Sequence, residues 1–241
     1  MTASLQVRGL SKTFGGLTAV SNVTFDVRGG EILGLIGPNG AGKTTTFNCI
    51  AGALPPSRGT VTLNGVPMQG QVPSVVCRAG LARTFQIVRP FRGMSVRENV
   101  AVGAFARTAK VAQAHRIADE VLRQLGAEAI ADLEPESLGV AALRKLEVAR
   151  ALATQPSVLL LDEMLAGLTA TETEEMCKRV LEMRERGLAI VMVEHSVPVM
   201  RRVCDRAVVL NFGAMIAEGP VGDVLENPAV QEAWLGGTVN G

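Results

Sequence analysis

The sequence has almost no excess of either charge, because its 241 residues carry 24 lysines and arginines against 23 aspartates and glutamates. With neither a basic stripe nor an acidic tail, the chain has nothing to hold a nucleic-acid backbone, so we expect no nucleic-acid partner. Cysteine is scarce as well, without CxxC pairing and without a histidine at metal-ligand spacing. This pattern is typical of small buried hydrophobic residues in a reducing compartment. The four cysteines are Cys49, Cys77, Cys177 and Cys204.

Long hydrophobic runs are also missing. No stretch approaches the ~18 apolar residues that a membrane-spanning helix needs. The first residues, MTASLQVRG, also lack the pattern of a signal peptide, in which an apolar segment follows a positively charged start. We therefore expect a cytoplasmic protein that reaches a membrane only through another protein. Repeats, low-complexity tracts and long linkers are absent too, which predicts that residues 1–241 form a single domain with a full core.

Strand and helix patterns alternate along the chain. Two early segments alternate polar and apolar residues as half-buried strands do, and later apolar runs are separated by a helical pattern at about 171–186. Strands and helices joined by short connections predict an α/β fold whose mostly parallel sheet is covered on both faces. The predicted strands are SLQVRG, NVTFDV, ILGLIG, TVTLNG, LARTFQ, VLLLD, LAIVMVE and RAVVLN.

Residues 87–155 have a helical pattern instead. Ser95 and Glu98 have the spacing of a capping box, and residues 110–125 keep a helical period. We interpret this block as a helical subdomain inserted into the α/β core. The core then consists of residues 1–86 and 156–241.

The stretch GPNGAGKT at residues 37–44 is a complete GxxxxGK[ST] motif between a buried strand and a helix. Glycines let successive backbone N–H groups wrap a phosphate chain, and the helix N-terminus adds about half a positive charge. We expect Lys43 to reach the terminal phosphates and Thr44 to offer its hydroxyl to Mg²⁺. The alternative, a glycine-rich turn that matches by chance, is disfavoured by both flanking elements. The predicted nucleotide contacts here are Gly37, Pro38, Asn39, Gly40, Ala41, Gly42, Lys43, Thr44 and Thr45.

Carboxylates and a histidine follow two later strands. Asp162 ends VLLLD at the edge of the sheet where the phosphate loop lies, so it can hold the water shell of Mg²⁺, and Glu163 is placed to polarise an attacking water. His195 closes the next strand, and parallel packing brings it to the same edge, where we expect contact with the γ-phosphate. The alternatives are a solvated glutamate at a strand end and a histidine with ordinary polar partners.

Gln86 completes a set of motifs whose order and spacing resemble one family. GPNGAGKTTTFN, ARTFQ, VLLLDE and VEH are similar to the Walker A, Q-loop, Walker B and switch-histidine motifs of ATP-binding cassette (ABC) transporter ATPase subunits. The resemblance covers essentially the whole chain. It implies a P-loop NTPase core, mostly parallel with antiparallel N-terminal strands, that carries an inserted α-helical subdomain. It also implies that the chain uses ATP and Mg²⁺, that Lys43, Gln86, Glu163 and His195 are catalytic, that Gln86 joins Thr44 and Asp162 at the metal, and that Phe14 lies against adenine.

Longer phrases resemble the ATPases of branched-chain amino acid importers. They are RTFQIVRPFRGMSVRENV, VARALAT with LLLDE and AGL, and the tail VVLNFGAMIAEGP with NPAVQEAWLG. Importers of urea and short amides share these phrases, so that alternative stays open. The resemblance implies a second ATPase subunit, membrane permease subunits, and indirectly a solute-binding protein. It places the chain peripherally on the inner face of the cell membrane.

The signature motif departs from the family pattern. Where the family has a sequence close to LSGGQ, an ungapped alignment on LEVARAL gives LGVAA at residues 138–142, without the serine, either of the two glycines or the glutamine. Matching Ser137 to the family serine needs two extra residues, which would rotate the helix by about 200°, so we prefer the ungapped alignment. It leaves the backbone at Gly139 and Ala141 to contact the other subunit's γ-phosphate, in a weakened site.

Because the signature serves the ATP bound by the other subunit, the Walker residues of this chain can still act at full strength. We therefore expect a heterodimer with one strong and one weak site, although a homodimer remains possible. After the Walker B strand this chain has Thr169, where the family has Asp or Asn. The chain therefore departs from the family at the segment that is assigned to communication between the two sites.

After Gln86 the segment IVRPFRGM mixes arginines with Ile87, Val88, Phe91 and Met94. This composition suits a groove for a permease helix, and the alternative is a local core under the helical block. The tail VQEAWLGG, with Trp234, is expected to be a docked C-terminal helix, since it is too short to fold alone.

Two further classes of function stay open from the sequence. A soluble cassette ATPase acting in repair or translation is one, although such proteins usually carry two cassettes or long insertions. A regulatory subunit that scarcely hydrolyses ATP is the other, and the intact Glu163 and His195 argue against it.

Overall fold

The computed structural model describes residues 4–86 and 88–236, where ten strands alternate with nine α-helices. The strands are β1 (Ser4–Phe14), β2 (Leu17–Arg28), β3 (Ile32–Ile36), β4 (Arg58–Leu63), β5 (Val66–Pro67), β6 (Leu81–Arg83), β7 (Val158–Asp162), β8 (Ala189–Val193), β9 (Arg206–Asn211) and β10 (Ala214–Pro220). The helices are α1 (Lys43–Ile50), α2 (Pro73–Ala79), α3 (Val96–Ala104), α4 (Val111–Gln124), α5 (Val140–Ala153), α6 (Ala170–Glu185), α7 (Val197–Val203), α8 (Val221–Glu226) and α9 (Pro228–Gly236). Two short 3₁₀ helices, Glu128–Ile130 and Pro135–Ser137, lie between α4 and α5.

The strands form one sheet in the order β5-β4-β1-β2-β10-β9-β3-β8-β7-β6. Strands β9, β3, β8, β7 and β6 are parallel to one another. Antiparallel pairing joins β5, β4, β1 and β2, and strand β10 connects the two parts by pairing with both β9 and β2. The predicted α/β class, with antiparallel strands near the N-terminus, is confirmed.

Strands β3, β7 and β8 are buried along their whole length, and they carry no charge before their last residue. In β3, Ile32 and Ile36 pack into the core on one side of the sheet, while Leu33 and Leu35 pack into the core on the other. Strand β7 divides its side chains in the same way. Alternate residues of a strand point to opposite faces, so a continuous apolar run is what a strand between two helical layers requires.

Helices α3, α4 and α5 form the predicted helical block. The Ser95–Glu98 capping box is present at the start of α3, and α4 falls within the predicted stretch 110–125. Helix α3 packs on α4 and α5, and their buried residues continue into the core beside β7. The division at 86 and 156 remains our interpretation.

Several elements lie outside the sequence prediction. The stretch LARTFQ is a strand only as far as Arg83, since the chain leaves the sheet after Thr84 N–H donates to the Leu160 carbonyl. Helix α2 starts with proline and has no side-chain cap, so it lacks the polar signal that marks α3. The elements α7, α8 and β10 were not predicted either.

The tail behaves as predicted as far as it is described. Helix α9 packs against α8 and β10, and Val230 is buried in the core. The side chain of Trp234 and residues 237–241 lie outside the described residues. In the described ranges, no helix combines the length and the apolar character needed to cross a bilayer.

Candidate functional site

The loop between β3 and α1 needs glycine at two positions for steric reasons. Gly37 has a φ of 146°, and a Cβ there would lie 2.0 Å from the Leu210 carbonyl oxygen. Gly42, the N-cap of α1, has a φ of 98°, and a Cβ would lie 2.5 Å from the Ala19 carbonyl oxygen. No side chain caps α1, so its first N–H groups are not bonded by a cap residue. A helix start of this kind favours an anion.

Lys43 is buried under this loop. Its Nζ donates to the carbonyls of Gly37, at 2.6 Å, and of Pro38, at 2.9 Å. Burial lowers the pKa of Lys43, while Glu163 and Asp162 act in the opposite direction. The ammonium group therefore sits with the loop it is expected to serve, next to two carboxylates that favour its charged form.

Thr44 and Asp162 line one pocket of about 470 Å³, together with Gln86. Thr44 is exposed and Thr45 half-buried. Hydroxyl, amide and carboxylate oxygens are ligands that Mg²⁺ accepts, and Mg²⁺ usually takes one or two protein carboxylates plus water and substrate phosphates. The described residues contain no group of three or more His, Cys, Asp or Glu side chains that could hold a metal. The donor set therefore fits Mg²⁺.

Glu163 is where three strand ends meet. Its Oε2 accepts from Gln86 Nε2 at 2.6 Å, and its Oε1 lies 2.9 Å from His195 Nε2. Gln86 follows β6, Glu163 follows β7 and His195 follows β8, so neighbouring parallel strands bring these side chains together. The expected convergence of Glu163 and His195 at one edge is what the geometry shows, and Gln86 joins them directly.

Phe14 ends β1, where it pairs with Leu17 across the turn into β2. It is 45% exposed, and Lys12 Nζ lies 5.1 Å from its ring centroid. The next part of β2 contacts the phosphate loop, because the Ala19 carbonyl lies against Gly42. An exposed ring on the strand pair beside the loop is consistent with the predicted adenine contact.

Helix α5 begins at the degenerate signature. Its N-cap is Gly139, without a side-chain cap, and Val140 is 52% exposed. Gly139 is the position that the ungapped alignment matches to the family serine, and serine is a common N-cap residue. Ser137 instead belongs to the preceding 3₁₀ helix and donates to the Glu134 carbonyl at 2.7 Å. Ala141 lies in the first turn of α5, as that alignment requires.

Thr169 has a structural task at the start of α6. Its hydroxyl accepts from Glu172 N–H, and the Glu172 carboxylate accepts from Thr169 N–H. Asp and Asn are N-cap residues as well, so threonine keeps the cap that the usual residues would make.

Helix α5 also holds the segment after β6, which the sequence analysis missed. Arg144 donates to the Gln86 carbonyl at 2.8 Å, Glu147 accepts from Phe85 N–H at 3.2 Å, and Arg150 donates to the Arg89 carbonyl at 2.9 Å. Burial raises the pKa of Glu147, and Arg150 opposes this. The available signal was the spacing of three residues between Arg144, Glu147 and Arg150 in a mainly apolar helix.

The segment IVRPFRGM is neither core nor fully exposed. Phe91 is 42% exposed, and Arg150 lies 4.8 Å from its ring centroid. Val88 and Met94 are half-buried, and Ile87 lies outside the described residues. Beside the segment, a mainly apolar groove of about 300 Å³ runs between α2, β6, α3 and α5.

A phosphate loop at a helix start, with a buried lysine, an aspartate and a glutamate at the ends of parallel strands, defines a P-loop ATPase. Residues 20–166 match the family model described as ABC transporter. Residues 214–240 match a second model, described as branched-chain amino acid ATP-binding cassette transporter. The chain belongs to the ABC transporter family, as an ATPase of the P-loop fold, which confirms the resemblance seen in the sequence.

Named relatives are similar over nearly the whole chain. The high-affinity branched-chain amino acid transport ATP-binding protein LivG of Salmonella typhimurium (strain LT2) is 39% identical over 96% of this chain and 97% of its own. BraF of Pseudomonas aeruginosa, with the same description, is 35% identical over 96% and 97%. Among solved structures, a nucleotide-free ATP-binding cassette from an ABC transporter has a TM-score of 0.88 at 27% identity, covering 97% of this chain and 99% of its own. The ADP conformation of the cassette MJ1267 has a TM-score of 0.87 at 27% identity, covering 98% and 99%.

Proposed function

We propose that this chain is the ATP-hydrolysing subunit of an importer for branched-chain amino acids. The observation that carries the proposal is the meeting of Gln86, Glu163 and His195 beside a phosphate loop with a buried lysine. The assignment of the solute is based on the relatives, whose names specify branched-chain amino acid transport. The match of the C-terminal residues to a branched-chain amino acid model supports the same solute.

Each side chain of the site has a role that its geometry suits. The N–H groups of the loop and Lys43 bind the phosphates, and Phe14 supports the base. Glu163 takes a proton from the attacking water. His195 and Gln86 are both hydrogen-bonded to the Glu163 carboxylate and orient it. Thr44, Gln86 and Asp162 would hold Mg²⁺, which supplies charge neutralisation at the phosphates.

We further propose that the working unit contains a second, different ATPase subunit. Helix α5 presents backbone N–H groups and the exposed Val140 side chain, and it has Gly139 where a serine hydroxyl would donate to a charged phosphate. A hydrogen bond to a charged group contributes about 1.5–3 kcal/mol, so the site that this helix completes is the weaker one. The strong site, on Lys43, Asp162, Glu163 and His195, is completed by the other subunit.

The permease is proposed to place a helix in the groove beside Phe91. An apolar groove lined by Arg83 and Arg150, with the exposed Phe91 ring against Arg150, suits an amphipathic helix. This contact would hold the chain at the inner face of the membrane. A solute-binding protein would then act through the permease, without touching this chain.

Replacement of Lys43 by alanine tests the function directly. Lys43→Ala should abolish high-affinity ATP binding and hydrolysis by the assembled complex, because the loop loses the buried ammonium group that is expected to contact the phosphates. The measurements are equilibrium binding of a fluorescent ATP analogue, and uptake of radiolabelled leucine by membranes that contain the permease and the second ATPase.

Lys178→Ala, an exposed lysine on α6, is the matched control and should leave both measurements unchanged. Unchanged binding and uptake in Lys43→Ala would contradict the whole proposal. Uptake of urea or a short amide in place of leucine would overturn the solute and leave the ATPase role standing.

A further inference from the structure

Arg83, the last residue of β6, places a guanidinium in the interior beside Asp162. The Arg83 side chain is only 9% exposed and that of Asp162 only 5%. Arg83 Nη2 donates to Asp162 Oδ2 at 2.9 Å, and Nη1 donates to Asn48 Oδ1 on α1. The guanidinium carbon also lies 5.3 Å from the ring centroid of Phe85 and 5.8 Å from that of Phe47.

These contacts fix the carboxylate of Asp162. A guanidinium is planar, and its two donors here have separate acceptors on α1 and β7, so it cannot turn without losing one of them. Asp162 is also held from behind, because its N–H donates to Thr84 Oγ1 at 3.1 Å. With Oδ2 occupied by Arg83, Oδ1 receives no hydrogen bond from the described residues. Oδ1 is therefore the oxygen left for the pocket that Thr44 also lines.

Stability alone is a weak reason for this arrangement. A buried ion pair gains little over a well-packed apolar pair, because both charges lose their water. Arg83 also has a buried Nε without a hydrogen-bond partner among the described residues, which adds to the cost. Such a costly group is better explained by what it does to Asp162.

We propose that Arg83 is a positioning residue for the metal site, which holds Asp162 Oδ2 so that Oδ1 faces Mg²⁺. The proposal rests on the proposed function, since it needs MgATP at the phosphate loop. Partners that orient a metal-binding carboxylate typically change metal affinity by about 10–100-fold when they are removed. Phe85 and Gln86 follow Arg83 closely in the chain, and Gln86 contacts Glu163. Arg83 therefore also connects the metal site to the segment that reaches Glu163.

The test separates nucleotide binding from metal binding. Equilibrium binding of a fluorescent ATP analogue is measured in EDTA and then across a Mg²⁺ titration, for wild type, Arg83→Lys and Asn48→Ala. Arg83→Lys keeps the charge and loses the fork, so it should weaken the Mg²⁺ response by about 10–100-fold while affinity in EDTA stays unchanged. Asn48→Ala removes the second anchor of the guanidinium and should shift the Mg²⁺ response in the same direction, by less.

Arg78→Lys, on the exposed face of α2, is the matched control and should leave the Mg²⁺ response unchanged. Thermal unfolding of each variant shows that it is folded, and Asn48→Ala keeps the test open if Arg83→Lys is not. An unchanged Mg²⁺ response in both variants would overturn the proposal, because Arg83 would then be structural. A tighter response would overturn it too, because the guanidinium would then compete with the metal. Absence of nucleotide binding by wild type at saturating Mg²⁺ would instead contradict the proposed function.

Discussion

Glu163 is held in a backbone conformation that a glutamate rarely adopts. Its φ is 48°, in the left-handed region, and its N–H donates to the Val193 carbonyl at 3.0 Å. Strain of this kind persists where the surroundings fix the residue, and it is concentrated at functional sites. Here the surroundings are Gln86 and His195, which both contact the carboxylate.

Replacement of the Glu163 carboxylate should separate nucleotide binding from hydrolysis. Glu163→Gln keeps the size of the side chain but cannot accept a proton from water, so turnover should fall by about 10²–10⁴-fold. Equilibrium binding of MgATP should be retained. Steady-state phosphate release and binding of the fluorescent analogue measure the two effects.

Glu120→Gln, an exposed carboxylate on α4, serves as the control for loss of a charge. If Glu163→Gln hydrolysed ATP at the wild-type rate, Glu163 would not be the base, and the alternative of a regulatory chain with little turnover would regain support.

Among the elements, α6 shows how a departure from the family pattern can leave a helix intact. Thr169 and Glu172 satisfy each other's N–H groups, so the helix start is complete. The sequence predicted this helix within one residue at each end, yet it gave Thr169 no structural task. The reason is that a cap depends on the backbone angles of the N-cap residue, which the residue type alone does not set.

This helix start should respond to acid. The pKa of Glu172 lies below its usual value of 4.5, chiefly because the carboxylate accepts from Thr169 N–H, and then from the Thr169 hydroxyl. A lowered folded-state pKa means that the unfolded chain binds the proton more readily. The contribution to stability is therefore complete above the usual pKa, and it is lost as pH falls through the folded-state value.

Glu172→Gln should lower the Tm near neutral pH and approach the wild-type Tm in acid, as measured by thermal unfolding followed by circular dichroism. Glu185→Gln, an exposed carboxylate in the last turn of α6, should show no such convergence. An equal difference in Tm between wild type and Glu172→Gln at all pH values would contradict the assigned cause.

At the scale of the whole molecule, the site could be predicted because neighbouring parallel strands end at one edge. The motifs gave Lys43, Asp162, Glu163 and His195, and topology then placed them together without further information. The polar residues of α5 are visible in the sequence, but their partners and those of Arg83 were out of reach, because these contacts depend on how the segment after β6 leaves the sheet. Sequence spacing does not specify that path.

The assembly should show its asymmetry in solution. The isolated chain should hydrolyse ATP slowly, and a mixture with its second ATPase should be much faster, because in the proposed heterodimer the other subunit brings the complete signature. Gly139→Ser should raise turnover of the isolated chain by up to about 100-fold, since it restores one hydrogen bond to a charged phosphate. Phosphate release at several protein concentrations measures both effects.

Steric conditions favour this substitution, because a Cβ at Gly139 would meet nothing within 4 Å. Gly222→Ser in α8, where the space is equally open, is the matched control. Fast, cooperative hydrolysis by the isolated wild-type chain would contradict the heterodimer.

Helix α5 has two ends with different neighbours. Its 14 residues make a rod of about 21 Å, which begins at Gly139. Through Arg144, Glu147 and Arg150 it holds the backbone of Phe85, Gln86 and Arg89. A helix of this length moves as a rigid body, so a displacement at one end is transmitted to the residues held at the other. If the other subunit's nucleotide docks at this helix start, as proposed, any tilt imposed there also moves the rim of the groove. Nucleotide closure and the proposed contact with the permease would then form a single mechanical stroke.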